Sequence, residues 1–233
     1  MFATLLRDLR SARDRDPAAR SSIEIAICYS GVHAVWSHRI SHWLWHRDFK
    51  LLARACSALA RWLTGVEIHP AAVLGEGVFI DHASGVVIGE TAEVGDDVTI
   101  YQGVTLGGTS LNPVKRHPTV GNRVTIGAGA KVLGPITIGD DSRIGANAVV
   151  VKSVPPNSVV VGVPGQVIAR SRPHLATDRP DLESAFMPDL LGSSLQSLLA
   201  RVDELETIVE GHTDHLAARP SPAGVWSGED FSI

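Results

Sequence analysis

The chain has 233 residues, of which 44% are hydrophobic and 20% charged, with a formal net charge of −4. That length supports one main domain with appendages, and the mild acidity excludes the concentrated basic surface a nucleic-acid binder needs. No apolar run reaches the roughly eighteen residues a membrane span requires.

The N-terminal stretch MFATLLRDLR carries charge from Arg7 and has no apolar signal core, so a cytoplasmic location is expected. Cys28 and Cys56 stand far apart with no CxxC spacing and read as two reduced thiols.

Residues 1–65 read as a helical domain. A first amphipathic stretch from Phe2 to Arg13 stops before Asp16-Pro17, because a residue preceding proline is driven out of the helical region. Ser21 or Ser22 then offers an N-cap for one longer segment reaching about His46. A third stretch, Lys50 to Leu63, ends at Gly65. His33, His38, His42 and His46 recur along the second helix among Trp36, Trp43 and Trp45. With no acidic or cysteine ligand beside them, they read as an interior helical face, and no metal is expected.

The texture then changes. Aliphatic residues recur every six positions: Ile68, Leu74 and Ile80; Ile88, Val94, Ile100 and Leu106; Val120, Ile126, Val132, Ile138, Ile144 and Val150. Many are followed by glycine, and four residues after each stands a small or β-branched side chain such as Ala72, Ala92, Ala130 or Ala148. A period of six fits neither a helix nor an alternating strand, but it fits short strands wound around a triangular prism.

The register breaks twice. Two extra residues lie between Ile80 and Ile88, within Asp81-His82-Ala83-Ser84-Gly85; eight extra lie between Leu106 and Val120, in a loop containing Lys115-Arg116-His117. Loops leaving a rigid solenoid are where binding chemistry concentrates.

Beyond Gly165 the repeat fades into a proline-bearing linker, with Pro173, Pro180 and Pro188. Leu191, Leu195, Leu198, Val202, Leu205 and Val209 then alternate spacings of four and three. That is the seam of a short coiled coil, equally readable as packing on its own subunit or between subunits.

Taken in order, the motifs Glu67-Ile68-His69-Pro70, Asp81-His82-Ala83-Ser84-Gly85, Gly89-Glu90-Thr91-Ala92, Val104-Thr105-Leu106-Gly107-Gly108-Thr109 and Arg116-His117-Pro118 resemble the bacterial serine O-acetyltransferase family of hexapeptide-repeat acyltransferases. The likeness runs from about Asp16 to Pro164. It implies that the prism is a left-handed parallel β-helix; together with the reading of the flanking residues the expected fold is α+β, with a helical domain over 1–65, the β-helix over 66–168, a linker over 169–193, a short amphipathic helix over 194–210 and a flexible tail, rich in Gly, Pro and Ser, over 211–233.

The resemblance also implies acetyl transfer from acetyl-CoA to the hydroxyl of L-serine, the first step of cysteine biosynthesis. His82 matches the family's general base, and Glu67 stands where many members carry aspartate to orient it. Asp16 and Asp81 match the ligands of the serine ammonium, and Arg116 and His117 those of its carboxylate. Gly108, Thr109, Ala128, Arg143 and Ala146 would line the acetyl-CoA groove, while Ser110-Leu111-Asn112-Pro113-Val114 departs from a commonly glycine-rich stretch.

By the same resemblance the assembly is a homotrimer, the short helical domain favouring it over a dimer of trimers. L-cysteine is a feedback inhibitor, and the C-terminal Ile233 docks into O-acetylserine sulfhydrylase. The alternative acceptor is a sugar hydroxyl, as in acetyltransferases of similar scaffold, but a neutral sugar has no use for Asp16, Asp81 and Arg116. A γ-type carbonic anhydrase on the same prism lacks a histidine ligand, since Asn122 stands in its place.

Overall fold

The structure, a computed structural model, describes residues 2–170 and 190–210. The chain divides into two units, Met1–Met187 and Pro188–Ile233.

In the first unit, α1 (Phe2–Arg15) ends one residue before Asp16-Pro17. The next helix, α2 (Ser22–Cys28), is capped by Ser21, whose Oγ accepts from the Glu24 amide at 3.1 Å. The sequence predicts one helix onward to His46. The structure instead breaks it at Tyr29, which is extended (φ −91°, ψ 102°), and restarts it as α3 (Ser30–His46). The break lets α3 press on the strands. A Cβ added at Gly31 would lie 1.8 Å from the Ile80 carbonyl oxygen, so only glycine fits. The last helix, α4 (Lys50–Thr64), closes at Gly65 in the left-handed conformation (φ 74°).

Strands then follow coil by coil. The first coil is β1 (Glu67–Ile68), β2 (Val73–Leu74) and β3 (Phe79–Ile80); the second is β4 (Val87–Ile88), β5 (Glu93–Val94) and β6 (Thr99–Ile100). The third is β7 (Thr105–Gly107), β8 (Thr119–Val120) and β9 (Thr125–Ile126); the fourth is β10 (Lys131–Leu133), β11 (Thr137–Ile138) and β12 (Arg143–Ile144). After them come β13 (Val149–Val150), β14 (Ser158–Val161) and β15 (Gln166–Arg170).

Each coil adds one strand to each of three parallel sheets, ordered β1-β4-β7-β10-β13, β2-β5-β8-β11 and β3-β6-β9-β12-β14. An antiparallel β15 closes the last. Pairing stacks the six-residue aliphatics directly: Ile68 on Ile88, Leu106, Val132 and Val150 in one sheet, and Ile80 on Ile100, Ile126, Ile144 and Val160 in another. These side chains are buried, each contributing about 1.5–3 kcal/mol, which holds together strands too short to stand alone.

The first coil has a neighbour on one side only, and an open strand edge exposes unpaired backbone groups. The helices cover it with side-chain donors. Ser57 Oγ donates to the Ile68 carbonyl (2.7 Å), and His42 Nδ1 and His38 Nε2 donate to those of Pro70 (2.8 Å) and Ala72 (3.0 Å). Arg39 reaches Gly75 (3.1 Å), and Ser11 (2.6 Å) and Arg15 (3.2 Å) share Gly77. The interior helical face read into the histidines is therefore a polar clasp on the prism's end. Beneath it Asp8 is buried and held by Arg39 through two bonds, at 3.0 and 2.8 Å, and by the Gly77 amide at 3.2 Å.

In the second unit, α5 (Leu190–Glu210) begins four residues before the expected Ser194, and its Leu198, Val202 and Leu205 are exposed. Residues 171–189 of the expected linker and the whole tail over 211–233, with Ile233, lie outside the described residues.

Burial drives the pKa of His38 down to about 3, with the neighbouring His42 adding to the effect. An unfolded histidine takes a proton near pH 6.5, so this clasp stabilises the fold fully above that pH and loses the contribution as pH falls from there towards 3. Denaturant titrations should therefore show stability falling by up to about 1.4 kcal/mol per pH unit below pH 6.5. His38→Gln, which keeps an N–H donor without the charge, should flatten that slope; an unchanged slope would contradict the assignment.

Candidate active site

The first register break forms the corner between β3 and β4. His82 (φ 56°) and Ala83 (φ 53°) both take the left-handed conformation, a strain of about 1–3 kcal/mol each, held because Ala83 is fully buried. The turn throws the His82 side chain outward, 71% exposed. Asp81 Oδ1 accepts from the His82 amide at 2.9 Å, and its Oδ2 lies 3.8 Å from His82 Nε2.

The helical domain delivers Asp16 to the same corner. Arg15, next to it, is locked on the prism by Gly77 O (3.2 Å), Thr99 Oγ1 (3.2 Å) and Asp97 Oδ1 (3.1 Å). Asp16 Oδ1 accepts from the Ala18 amide at 2.8 Å and Oδ2 from the Tyr29 hydroxyl at 2.5 Å. Burial foremost, and the nearby Asp16 carboxylate, lift the Asp81 pKa against the pull of His82. Tyr101, one coil above Asp81, has its phenol raised by burial, then by Asp81 and Asp16. The charges of Asp16 and Asp81 are thus felt by one another beside the exposed His82 imidazole.

Glu67 lies on β1 alongside this corner, its amide donating to Val86 O at 2.9 Å. Its carboxylate pairs with Arg61 at 3.0 Å, and the acidic neighbour of His82 is Asp81. The expected His82–Glu67 contact is thus not formed in the chain as described. Glu67 meets a guanidinium from α4 instead.

The second break leaves the corner between β7 and β8, so Arg116 and His117 sit on a different edge of the prism from His82. Thr91 organises them. Its hydroxyl accepts from the amides of Arg116 (3.0 Å) and His117 (3.1 Å), and its own amide donates to His117 Nδ1 (3.2 Å). An accepting Nδ1 places the imidazole proton on Nε2. Burial and then Arg116 hold the His117 pKa below its ordinary value, keeping the ring neutral with an Nε2–H to offer. Arg116 is tied to Glu90, whose pKa that bond lowers. Lys115 binds Thr91 O (2.6 Å) and Glu93 (2.9 Å), pinning the end of the loop.

The expected acetyl-CoA residues divide likewise. Ala128 and Ala146 lie on the His82 edge, where amide-to-carbonyl bonds run from Gly103 to Ser84 (2.9 Å), from Gly129 to Gln102 (2.8 Å) and from Asn147 to Ala128 (2.8 Å). Gly108 lies against Arg116 and His117, Thr109 against Gly134, and Arg143 in β12. The structure therefore places Asp16, Asp81 and His82 at one corner of the prism and Arg116 and His117 at another. Tyr29, Tyr101, Glu90 and Thr91 were given no role in the sequence reading. Glu90 and Thr91 stand in the Gly89-Glu90-Thr91-Ala92 motif, and Ser30-Gly31 is the local turn signal that could have marked the break at Tyr29.

A Cβ on Gly89 would fall 2.0 Å from His117 Cδ2, so the ring needs glycine beneath it. Imidazole ¹⁵N shifts should report the Nε2–H tautomer of His117 at neutral pH and its loss in Gly89→Ala. An Nδ1–H tautomer would contradict the role given to Thr91.

The bacterial transferase hexapeptide (six repeats) family matches residues 117–152. Over its full length the chain is 63% identical across 234 residues to the serine acetyltransferase of Mycobacterium tuberculosis, covering 100% of both. Among solved structures it is similar to serine acetyltransferase from Brucella abortus strain S19 in complex with coenzyme A, with a TM-score of 0.72 and 44% identity over 73% of this chain and 68% of that one. A serine acetyltransferase in complex with cysteine matches with a TM-score of 0.72 and 42% identity over 73% of this chain and 66% of that one. The coil is accordingly the left-handed β-helix of these enzymes, and the chain belongs to the serine acetyltransferase family.

Proposed function

We propose that this chain transfers the acetyl group of acetyl-CoA to the hydroxyl of L-serine in a single ternary complex, giving O-acetyl-L-serine and CoA. The observation that carries this reading is the opposed charge of the two half-sites. Asp16 and Asp81 lie close enough for each charge to act on the other, which suits an ammonium, while the Nε2–H of His117 and an Arg116 released from Glu90 would supply donors for a carboxylate. A zwitterionic amino acid uses both, and a neutral sugar uses neither.

His82 takes the hydroxyl proton as the serine oxygen attacks the thioester carbonyl; the C–S bond breaks, and the CoA sulfur leaves as thiolate and is protonated. A base so placed accounts for about 10²–10⁴-fold. Glu67 serves as the orienting carboxylate in this reading, which requires it to exchange Arg61 for His82 once acetyl-CoA and serine are bound. The small residues Ala128 and Ala146 above His82 leave room for the pantetheine arm, with Arg143 nearby and with Gly108 and Thr109 on the other edge.

Because the half-sites stand on separate prism edges, a working site needs the His82 edge of one copy against the His117 edge of the next, as a homotrimer of side-by-side prisms provides. L-cysteine, which shares the ammonium and carboxylate of serine, would occupy the same groups as a feedback inhibitor, in line with the cysteine complex of a solved relative. The C-terminal Ile233, outside the described residues, remains the proposed anchor for O-acetylserine sulfhydrylase; deleting it should abolish that binding and spare acetyl transfer. Among the described residues no helix is long and apolar enough to cross a membrane.

Thiol release with acetyl-CoA and L-serine tests the reading, and turnover that is absent or independent of serine would overturn it. His82→Ala should lower kcat by about 10²–10⁴-fold with the serine KM little changed. Asp81 has a raised pKa, so acidification neutralises it first. The KM for serine should therefore climb as pH falls while the KM for acetyl-CoA stays level. Parallel rises in both would contradict the ammonium pocket.

A further inference from the structure

Tyr29 occupies the break between α2 and α3, and its main chain is fastened on both sides: its amide donates to Ile25 O at 3.1 Å and its carbonyl accepts from the His33 amide at 3.1 Å. Its ring packs on the buried cluster of Ala12, Ile25, Val32 and Phe79, where α1, α2, α3 and β3 meet. Its hydroxyl donates to Asp16 Oδ2.

Asp16 itself lies just beyond the end of α1. The Ala18 amide on Oδ1 fixes one carboxylate oxygen, and Tyr29 fixes the other. Without the phenol the carboxylate could rotate away from Asp81, drawn by its own hydration and by repulsion between like charges.

Resting on the serine reading above, we infer that Tyr29 is a positioning residue for the amino group of the acceptor, acting through Asp16. Its hydroxyl holds Asp16 aimed at the space in front of Asp81, so that the two carboxylates close on one ammonium. The helical break makes this possible. In an unbroken helix from Ser22 to His46, residue 29 would keep helical dihedrals rather than the extended ones that set its ring between α1 and β3. Selectivity for an acceptor bearing an α-amino group thus depends partly on a residue that touches no substrate atom.

Tyr29→Phe keeps the packed ring and removes only the hydroxyl. Steady-state kinetics of the full chain should show the KM for L-serine rising about tenfold, as expected for loss of a bond to a charged group. The kcat should stay within about twofold and the KM for acetyl-CoA should be unchanged, while the thermal midpoint falls only by the few degrees that loss of one such bond costs. Added to Asp16→Asn, the same change should raise the serine KM no further, because residues acting as one unit are not additive.

An unaltered serine KM in Tyr29→Phe would overturn the inference, as would effects that simply multiply in the double variant. A joint loss of kcat, both KM values and thermal stability would reduce Tyr29 to a packing residue. Failure of the wild-type chain to acetylate serine at all would sink the serine reading itself, and this inference with it.

Discussion

A prism whose strands are mostly two or three residues long ends in an open edge, and the rest of the molecule depends on how that edge is covered. Ser57, His42, His38, Arg39, Ser11 and Arg15 each donate to a first-coil carbonyl, so the helical domain satisfies backbone on the side where no preceding coil exists to pair it. The cover is polar by necessity and close by construction, as the contact of Gly31 with Ile80 shows.

The same cover assembles half of the site. Arg15 ties the end of α1 to Gly77, Thr99 and Asp97, which leaves the next residue, Asp16, at the corner bearing Asp81 and His82. Stability and chemistry are therefore joined at one place. The strained left-handed pair His82-Ala83 is tolerated because Ala83 is buried in a coil held below by the helices and above by the second coil. The other half-site is built differently. It uses no helix; Gly89, Glu90 and Thr91 of the second coil hold a loop that returns to the prism at His117.

Much of this was legible from residue order. The six-residue spacing specifies the inward stacks because a packed prism interior admits only aliphatics there, and the two interruptions of the spacing carry Asp81-His82 and Arg116-His117. Counting three hexads to a coil also tells which corner each interruption leaves, once the prism is granted. What stayed hidden was tertiary. In the apparent helix from Ser22 to His46 the only local hint of the break is Ser30-Gly31, a weak one because an isolated glycine is tolerated in a helix; the break sets the Tyr29 ring against the cluster shared by α1 and β3. The pairing of Glu67 with Arg61 is equally illegible, since it joins an outward strand position to a helix whose placement only the fold decides.

In the proposed mechanism neither prism edge holds a complete site, and neighbouring copies complete one another. Co-expressing His82→Ala with Arg116→Ala, each inactive alone, tests it directly. Mixed assemblies should regain serine-dependent thiol release, because some interfaces then pair an intact His82 edge with an intact Arg116 edge. Mixed assemblies that stay as inactive as either parent would contradict the account.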